Sequence, residues 1–373
     1  MIISRGPTRR VLWPIVWLLV VSLLPGFASE TLAGVLQTPD ASVPTDEQLE
    51  QSIQQVGVNR IKGLNESSGL ALSSTDDTVW SINDSGNPSD LFLLQLSGKL
   101  AGTFPTTAPN VDWEAMASTM VDDSRWLVLA DVGDNLLRRD RYSLYLLPEP
   151  PIATEQDRVA DPQRTLPANR VDFVFDSDGT QQNDLDGFDQ NLKNRKANPR
   201  LEVARPANCE AIGIDPLTQN IWLVEKVYLD SRQKTAPGIF VLKLPETAFE
   251  PPKKTTDGSE KTDPQNDKPL IAKRIGNFPV RNVTGMSFSP DGRKLLIRNY
   301  FNAHLYRRTG NTSWQETIAA AKPDRIVLPL QRQGEAVCFL NDSKSVLLTS
   351  EVEGQPIWKI DLTPYLDLPI RKR

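Results

Sequence analysis

Five short stretches of this chain open in nearly the same way, and four of them open on a carboxylate. They are Glu66-Ser-Ser-Gly-Leu-Ala, Glu114-Ala-Met-Ala, Glu210-Ala-Ile-Gly, Thr284-Gly-Met-Ser and Glu335-Ala-Val-Cys. A second polar set follows each opening after one hairpin's length of chain: Asn83-Asp84, Asp131 with Asp134-Asn135, Glu225-Lys226, Arg298-Asn299, and Glu351. Carboxylates gathered in one place repel and raise each other's pKa, so something must offset them. A hard divalent cation, Ca²⁺ ahead of Mg²⁺, takes several carboxylate and amide oxygens in a flexible cage. The candidate ligands for it are Glu66, Glu114, Glu210, Glu335, Asp84, Asp131 and Asp134. Alternatively Lys226 and Arg298 pair with their neighbours and form a structural network. In either case Asn83, Asn135, Lys226, Arg298, Asn299 and Glu351 are the further groups expected to meet a ligand.

The elements that position these residues are strands. Each opening runs into a turn such as Asp215-Pro-Leu-Thr or Ser289-Pro-Asp-Gly, where Pro presets φ and Asx side chains bond the backbone. Continuous apolar runs follow, among them Val79-Trp-Ser-Ile, Trp126-Leu-Val-Leu-Ala and Ile221-Trp-Leu-Val. Runs of that kind fit strands buried on both faces. Self-similarity at this period is the signature of a β-propeller, in which each copy is one four-stranded antiparallel blade. Small residues in each opening suit inner strands that crowd around an axis. The fold class expected is therefore all-β, a five-bladed propeller. Six blades are the alternative, because the interval from Glu114 to Glu210 is long. The segment Gln55–Gly63 precedes the first copy and is expected to supply the outer strand of the last blade, closing the ring. Loops entering the first strand of a blade and leaving its second share one face, which gathers the candidate residues there.

The N-terminus reads as a signal peptide over residues 1–28: Arg5, Arg9 and Arg10, then the apolar run Val11–Leu24, then Pro25-Gly-Phe-Ala28. Residues 29–54 read as a linker, and residues 55–373 as a single propeller with polar inserts near 176–206 and 250–269. Nothing after residue 28 is apolar enough to span a membrane, so the mature protein is expected in the periplasm or the medium, as a monomer. Forty-two Lys and Arg against 47 Asp and Glu, with no basic cluster, exclude nucleic acid as a partner. The single histidine, His304, excludes a His-rich zinc site and disfavours a Ser-His-Asp triad. The acidic stretch Asp176–Asp189 looks like calcium-loop material but misses the EF-hand spacing.

Asn83-Asp-Ser-Gly, Asp112-Trp-Glu-Ala, Gly133-Asp-Asn, Cys209-Glu-Ala-Ile, Thr284-Gly-Met-Ser-Phe-Ser-Pro-Asp-Gly and Gln333-Gly-Glu-Ala together resemble a family of exported bacterial β-propeller proteins. That family is loosely grouped with phytase-like and TolB-like propellers. The resemblance implies a propeller fold, export and an acidic, calcium-binding face. A phytase-like site would also need more Lys and Arg than this face offers.

Two functions remain open on the sequence. One is a binding module of the cell envelope that takes a small anionic ligand, or an envelope protein or glycan, on a calcium-binding acidic face. The other is a calcium-dependent hydrolase of a phosphoester or lactone.

Overall fold

The computed structural model describes residues 44–152, 154, 165–176, 204–228, 236–252 and 268–373. The expected signal peptide, the acidic stretch after Asp176 and most of the insert near 250–269 lie outside these residues. A short helix, Asp46–Ser52, stands in the stretch read as linker and is capped by the Thr45 hydroxyl, with Gln48 completing a capping box. It runs into strand β1, Ile53–Val58.

The remaining strands fall into antiparallel units. The first holds β2 (Ser67–Leu72), β3 (Thr78–Asn83), β4 (Asp90–Gln95) and β5 (Leu100–Pro105). The second holds β6 (Trp113–Val121), β7 (Ser124–Asp131), β8 (Tyr142–Pro148) and β9 (Asn169–Asp176), with the short β10 (Ala204–Arg205) on β9. The third holds β11 (Cys209–Ile214), β12 (Ile221–Glu225), β13 (Gly238–Leu242) and β14 (Leu270–Asn277). In the fourth, β15 (Val283–Phe288), β16 (Lys294–Asn299) and β17 (Asn302–Arg307) are followed by β18 (Ala321–Lys322) and the edge strand β19 (Asp324–Val327). The last holds β20 (Gly334–Phe339), β21 (Ser345–Ser350) and β22 (Pro356–Asp361), and β1 completes it on the far side of β22. A final short strand, β23 (Arg371–Lys372), pairs with β18. The second and third units merge into one sheet because their outer strands β9 and β14 pair in parallel.

This is the all-β arrangement of four-stranded antiparallel sheets expected of a propeller. Apolar clusters fill each seam between neighbouring units. Trp80 and Leu93 meet Leu127 and Leu129. Tyr142 and Phe173 meet Ile212 and Phe240, Trp222 and Ile239 meet Met286 and Leu295, and Leu305 meets Phe339. Leu70 and Val79 then meet Cys338 and Leu347, which brings the last unit back against the first. The two cysteines, Cys209 and Cys338, form no disulfide and are buried in separate seams.

The ladders correct the alignment of the repeats. In each unit the inner hairpin carries a β-bulge at one position. It is Ser68 in the first unit, Glu114 in the second, Glu210 in the third and Thr284 in the fourth. In the last unit the irregularity falls between Gly334 and Val337, at Glu335-Ala336. The equivalent of Glu114 is thus Ser68, not Glu66, so three copies rather than four carry the carboxylate. Glu66 matches Asp112, Asn208 and Gln333 instead. The carbonyls of those four residues accept the N–H of Asp84, Val132, Lys226 and Glu351 respectively.

The residue after the bulge is small because the next inner strand comes close. A Cβ on Gly69 would stand 2.6 Å from the Met116 nitrogen, and one on Gly285 would stand 2.5 Å from the Glu335 carbonyl. Neither backbone can yield. Gly69→Val is expected to cost about 1–3 kcal/mol, read as a lower denaturant midpoint at unchanged slope.

Candidate functional site

The bulged residue of each inner strand and the residue after each second strand form two matched sets of positions around one mouth. Ser68 and Thr284 nevertheless donate to the Trp113 and Gly334 carbonyls, and Val132 packs in an apolar seam. The first set is Ser68, Glu114, Glu210, Thr284 and Glu335, all buried. The second is Asp84, Val132, Lys226, Tyr300 and Glu351, of which Asp84 and Tyr300 are partly exposed.

On one side of this mouth a cationic network forms. The Lys226 ammonium donates to Glu210 Oε2 and lies 3.9 Å from Glu335 Oε1. It also sits over the rings of Tyr228 and Tyr300, 5.4 and 5.3 Å from their centroids. The Tyr300 hydroxyl donates to Glu335 Oε1 at 3.3 Å, and Asn208 Nδ2 donates to Glu210 Oε1 at 3.2 Å. Burial alone would discharge Lys226, but Glu210 and Glu335 beside it hold it firmly cationic. At the carboxylates burial wins over the lysine: Glu210 is pushed up to about 8 and Glu335 to about 7. Burial and the charges of Asp84 and Glu66 raise Glu351 to about 7 as well.

On the other side stand Asp84, Asp112 and Glu114, with one oxygen of each lying within 4.8 Å of the others. Glu114 is 7% exposed, and among the described residues no donor reaches its carboxylate. Burial first, then the charges of Glu210, Asp84 and Asp112, raise it well above the ordinary range. Burial likewise raises Asp84 to about 6 and pushes Asp112 up. Gly133 floors the cluster: a Cβ there would collide with the oxygens of both Glu114 and Asp112. Glu66 lies at the edge, its Oε2 accepting from Asn87.

Several residues expected in the site serve the backbone instead. The Asn83 side chain accepts the Glu66 N–H at 3.0 Å and donates to the Gly63 carbonyl at 2.6 Å. Asp131 does the equivalent job for Asp112, accepting its N–H at 3.2 Å, and pairs with Arg139 at 2.6 Å. Asp134 accepts from the Arg138 and Arg139 amides and the Tyr142 hydroxyl, which closes the loop after β7. Asn299 Oδ1 caps the next turn through the Phe301 and Asn302 amides. Arg298 is fully buried between β15 and β20, donating to the Ala336 carbonyl and Gln331 Oε1 at 3.0 Å each. Asn135 holds the rim by accepting from Asn208 and the Tyr228 hydroxyl.

Asp112 was not among the residues expected from sequence. Its signal was there: it stands two residues before the bulge, as Glu66 does, and that equivalence appears only when the copies are aligned on the bulge. Trp113 is wholly buried in the seam between the first two units and takes no part in the mouth. His304 packs edge-on against Phe278, and burial lowers it to about 4.

The raised carboxyls set a pH dependence. A carboxyl whose folded pKa exceeds its unfolded value makes the folded state bind more protons, so stability falls as pH rises. For Glu210, Glu335 and Glu351 the window runs from the ordinary 4.5 up to about 8. His304, with its lowered pKa, acts oppositely but only below its ordinary 6.5. Melting in chelator is therefore expected to drop by several degrees between roughly pH 6.5 and 8. A flat profile there would mean that these carboxyls are ionised in the folded state.

No protein-family profile and no curated protein matches this chain. Solved structures with a similar course include a gluconolactonase from Xanthomonas campestris, 11% identical, with a TM-score of 0.37 over 83% of this chain and 89% of that one. A candidate 6-phosphogluconolactonase from Bacteroides uniformis is 12% identical, with a TM-score of 0.34 over 82% of this chain and 70% of that one. The PQQ-bound aldose sugar dehydrogenase of Streptomyces coelicolor is 12% identical, with a TM-score of 0.39 over 83% of this chain and 98% of that one. Likeness at this level carries no function across, so function rests on the site.

Proposed function

We propose that this chain is a five-bladed propeller whose acidic face binds a hard divalent cation, calcium first, through Asp84, Asp112 and Glu114, and offers it to an oxygen-rich ligand. The blade count rests on the cyclic order of the seams and on a small cavity at the axis, lined by residues of β2, β6, β11, β15 and β20. The observation that carries the cation is Glu114, a largely buried carboxylate that no donor among the described residues reaches. It stands with Asp84 and Asp112 in one acidic cluster, an arrangement a proton or a cation would relieve. All three ligands are hard oxygens, and their mutual spacing suits Ca–O distances of about 2.3–2.6 Å. The Lys226 network opposite already offsets Glu210 and Glu335, so the cation need only serve its own three ligands. The export expected from the N-terminal sequence belongs to this reading: outside the cytoplasm, an affinity on the order of 10⁻⁴–10⁻³ M suffices.

The test is thermal melting in EGTA and then in millimolar calcium. A ligand at a hundredfold excess over its Kd stabilises the fold by about 2.7 kcal/mol, so a rise of several degrees is expected. Identical melting in both would sink the cation and leave Glu114 simply protonated.

A second reading, hydrolysis of a phosphoester or lactone, is favoured by one observation. Glu351, at about 7, holds or releases a proton near neutrality and feels the charge of Asp84, one of the cation ligands. Calcium-dependent hydrolysis of p-nitrophenyl phosphate or of a δ-lactone, lost in Glu351→Gln, would establish it. Inertness toward both leaves binding.

A further inference from the structure

Beside the mouth, on the outer side of the Gly133 peptide, an open groove of about 410 Å³ lies between the loop before β6 and strands β8 and β9. Gly133 separates the two places. Its backbone underlies Asp112 and Glu114, while its carbonyl accepts from Arg139 at 3.0 Å.

The groove has charges of both signs. Asp131, 1% exposed, stands at its base. Its Oδ1 holds the Asp112 N–H and Arg139, but its Oδ2 is buried without a hydrogen-bond partner. A buried carboxylate oxygen left in that state calls for a donor from outside the protein. On the wall, Arg141 and Arg170 share one carboxylate, Asp172, at 3.1 and 2.7 Å. Two guanidiniums on a single acid retain capacity for a further anion, since each offers five donors in a fixed fork. Asp140 also lines the groove, and Val111, 60% exposed, gives it an apolar edge.

We propose that this groove is a second binding site, and that it takes a saccharide carrying a carboxylate, of the hexuronate type. The hydroxyls supply the donor that Asp131 Oδ2 lacks. The carboxylate completes Arg141 and Arg170, and a ring face covers Val111. A bare inorganic anion fits poorly, because the groove carries acids as well as arginines. The volume lies within the range of small-molecule sites.

The test uses the full chain in EGTA, with glucuronate, galacturonate, glucose and inorganic phosphate as probes in titration calorimetry. At least one uronate is expected to bind without calcium, and glucose to bind at least about tenfold more weakly, the loss of one charge-assisted pair. Arg141→Ala and Arg170→Ala should each reduce uronate affinity by roughly the same factor, with the calcium-dependent melting shift intact. Both side chains are nearly half exposed, so neither change threatens the fold. The proposal is overturned if no uronate binds, if phosphate binds as well as the uronates, or if both arginine variants bind them normally. A uronate that needs calcium would sit at the mouth, which overturns the groove and leaves the cation reading standing.

Discussion

Lys226→Met is expected to lower the stability of the metal-free domain by about 3–5 kcal/mol, the cost of removing one partner from a buried ion pair. The methionine fills the same space between Tyr228 and Tyr300, so packing is nearly conserved and the loss is electrostatic. Glu210 and Glu335 are left buried beside one another with no cation between them. The loss should shrink in mildly acidic buffer, because burial already pushes Glu210 to about 8 and Glu335 to about 7, and both then take up protons. The measurement is urea unfolding of the parent and the variant at roughly pH 5.5 and 8. An equal deficit at both values would assign the loss to packing and remove the network from the account of the site.

Glu114→Gln is expected to act in opposite directions in two buffers. In chelator the variant should be at least as stable as the parent, because an amide replaces a buried carboxyl that no donor satisfies. In calcium it should lose most of the gain of about 2.7 kcal/mol available at a hundredfold excess of ligand. Asp112→Asn should follow the same pattern more weakly, since Asp112 is less buried and the repulsion it meets is smaller. If Glu114→Gln destabilises in both buffers alike, the carboxylate is a structural group and the cation site is lost with it.

The fold was the more legible part of this sequence. Runs such as Trp126–Ala130 and Ile221–Val224 declare strands covered on both faces, and they lie at the centre of their units with buried side chains throughout. Pro and Asx turns mark where those strands reverse. The register of the first copy was not legible. Glu66 and Glu114 share a letter and a small-residue context, but a bulge is a property of the hydrogen-bond ladder, and the ladder puts Ser68 opposite the Asn83–Ile82 step. The same blindness applied to roles. Asp131, Asp134 and Asn299 read as ligands because their side chains are acids and amides, yet backbone N–H groups of tight loops compete for those same oxygens. Which oxygens remain for a ligand is decided by the loop's path, and among the described residues Asp84, Asp112 and Glu114 are the acids that bring one oxygen each together.

The pairing of β1 with β22 has a consequence for how the protein is made. Ile53 lies beside Ile360, so the first strand among the described residues waits for one of the last. Until then β1 has no partner and the face of the first unit that packs on the last is open to solvent. Closing a loop of that length is slow because the entropy is lost before the contacts form. An unfinished chain therefore exposes both an unpaired edge and an apolar seam, features that chaperones and proteases recognise. Closure of the fold is thus set by the pairing of β1 with β22, strands that carry none of Asp84, Asp112 and Glu114.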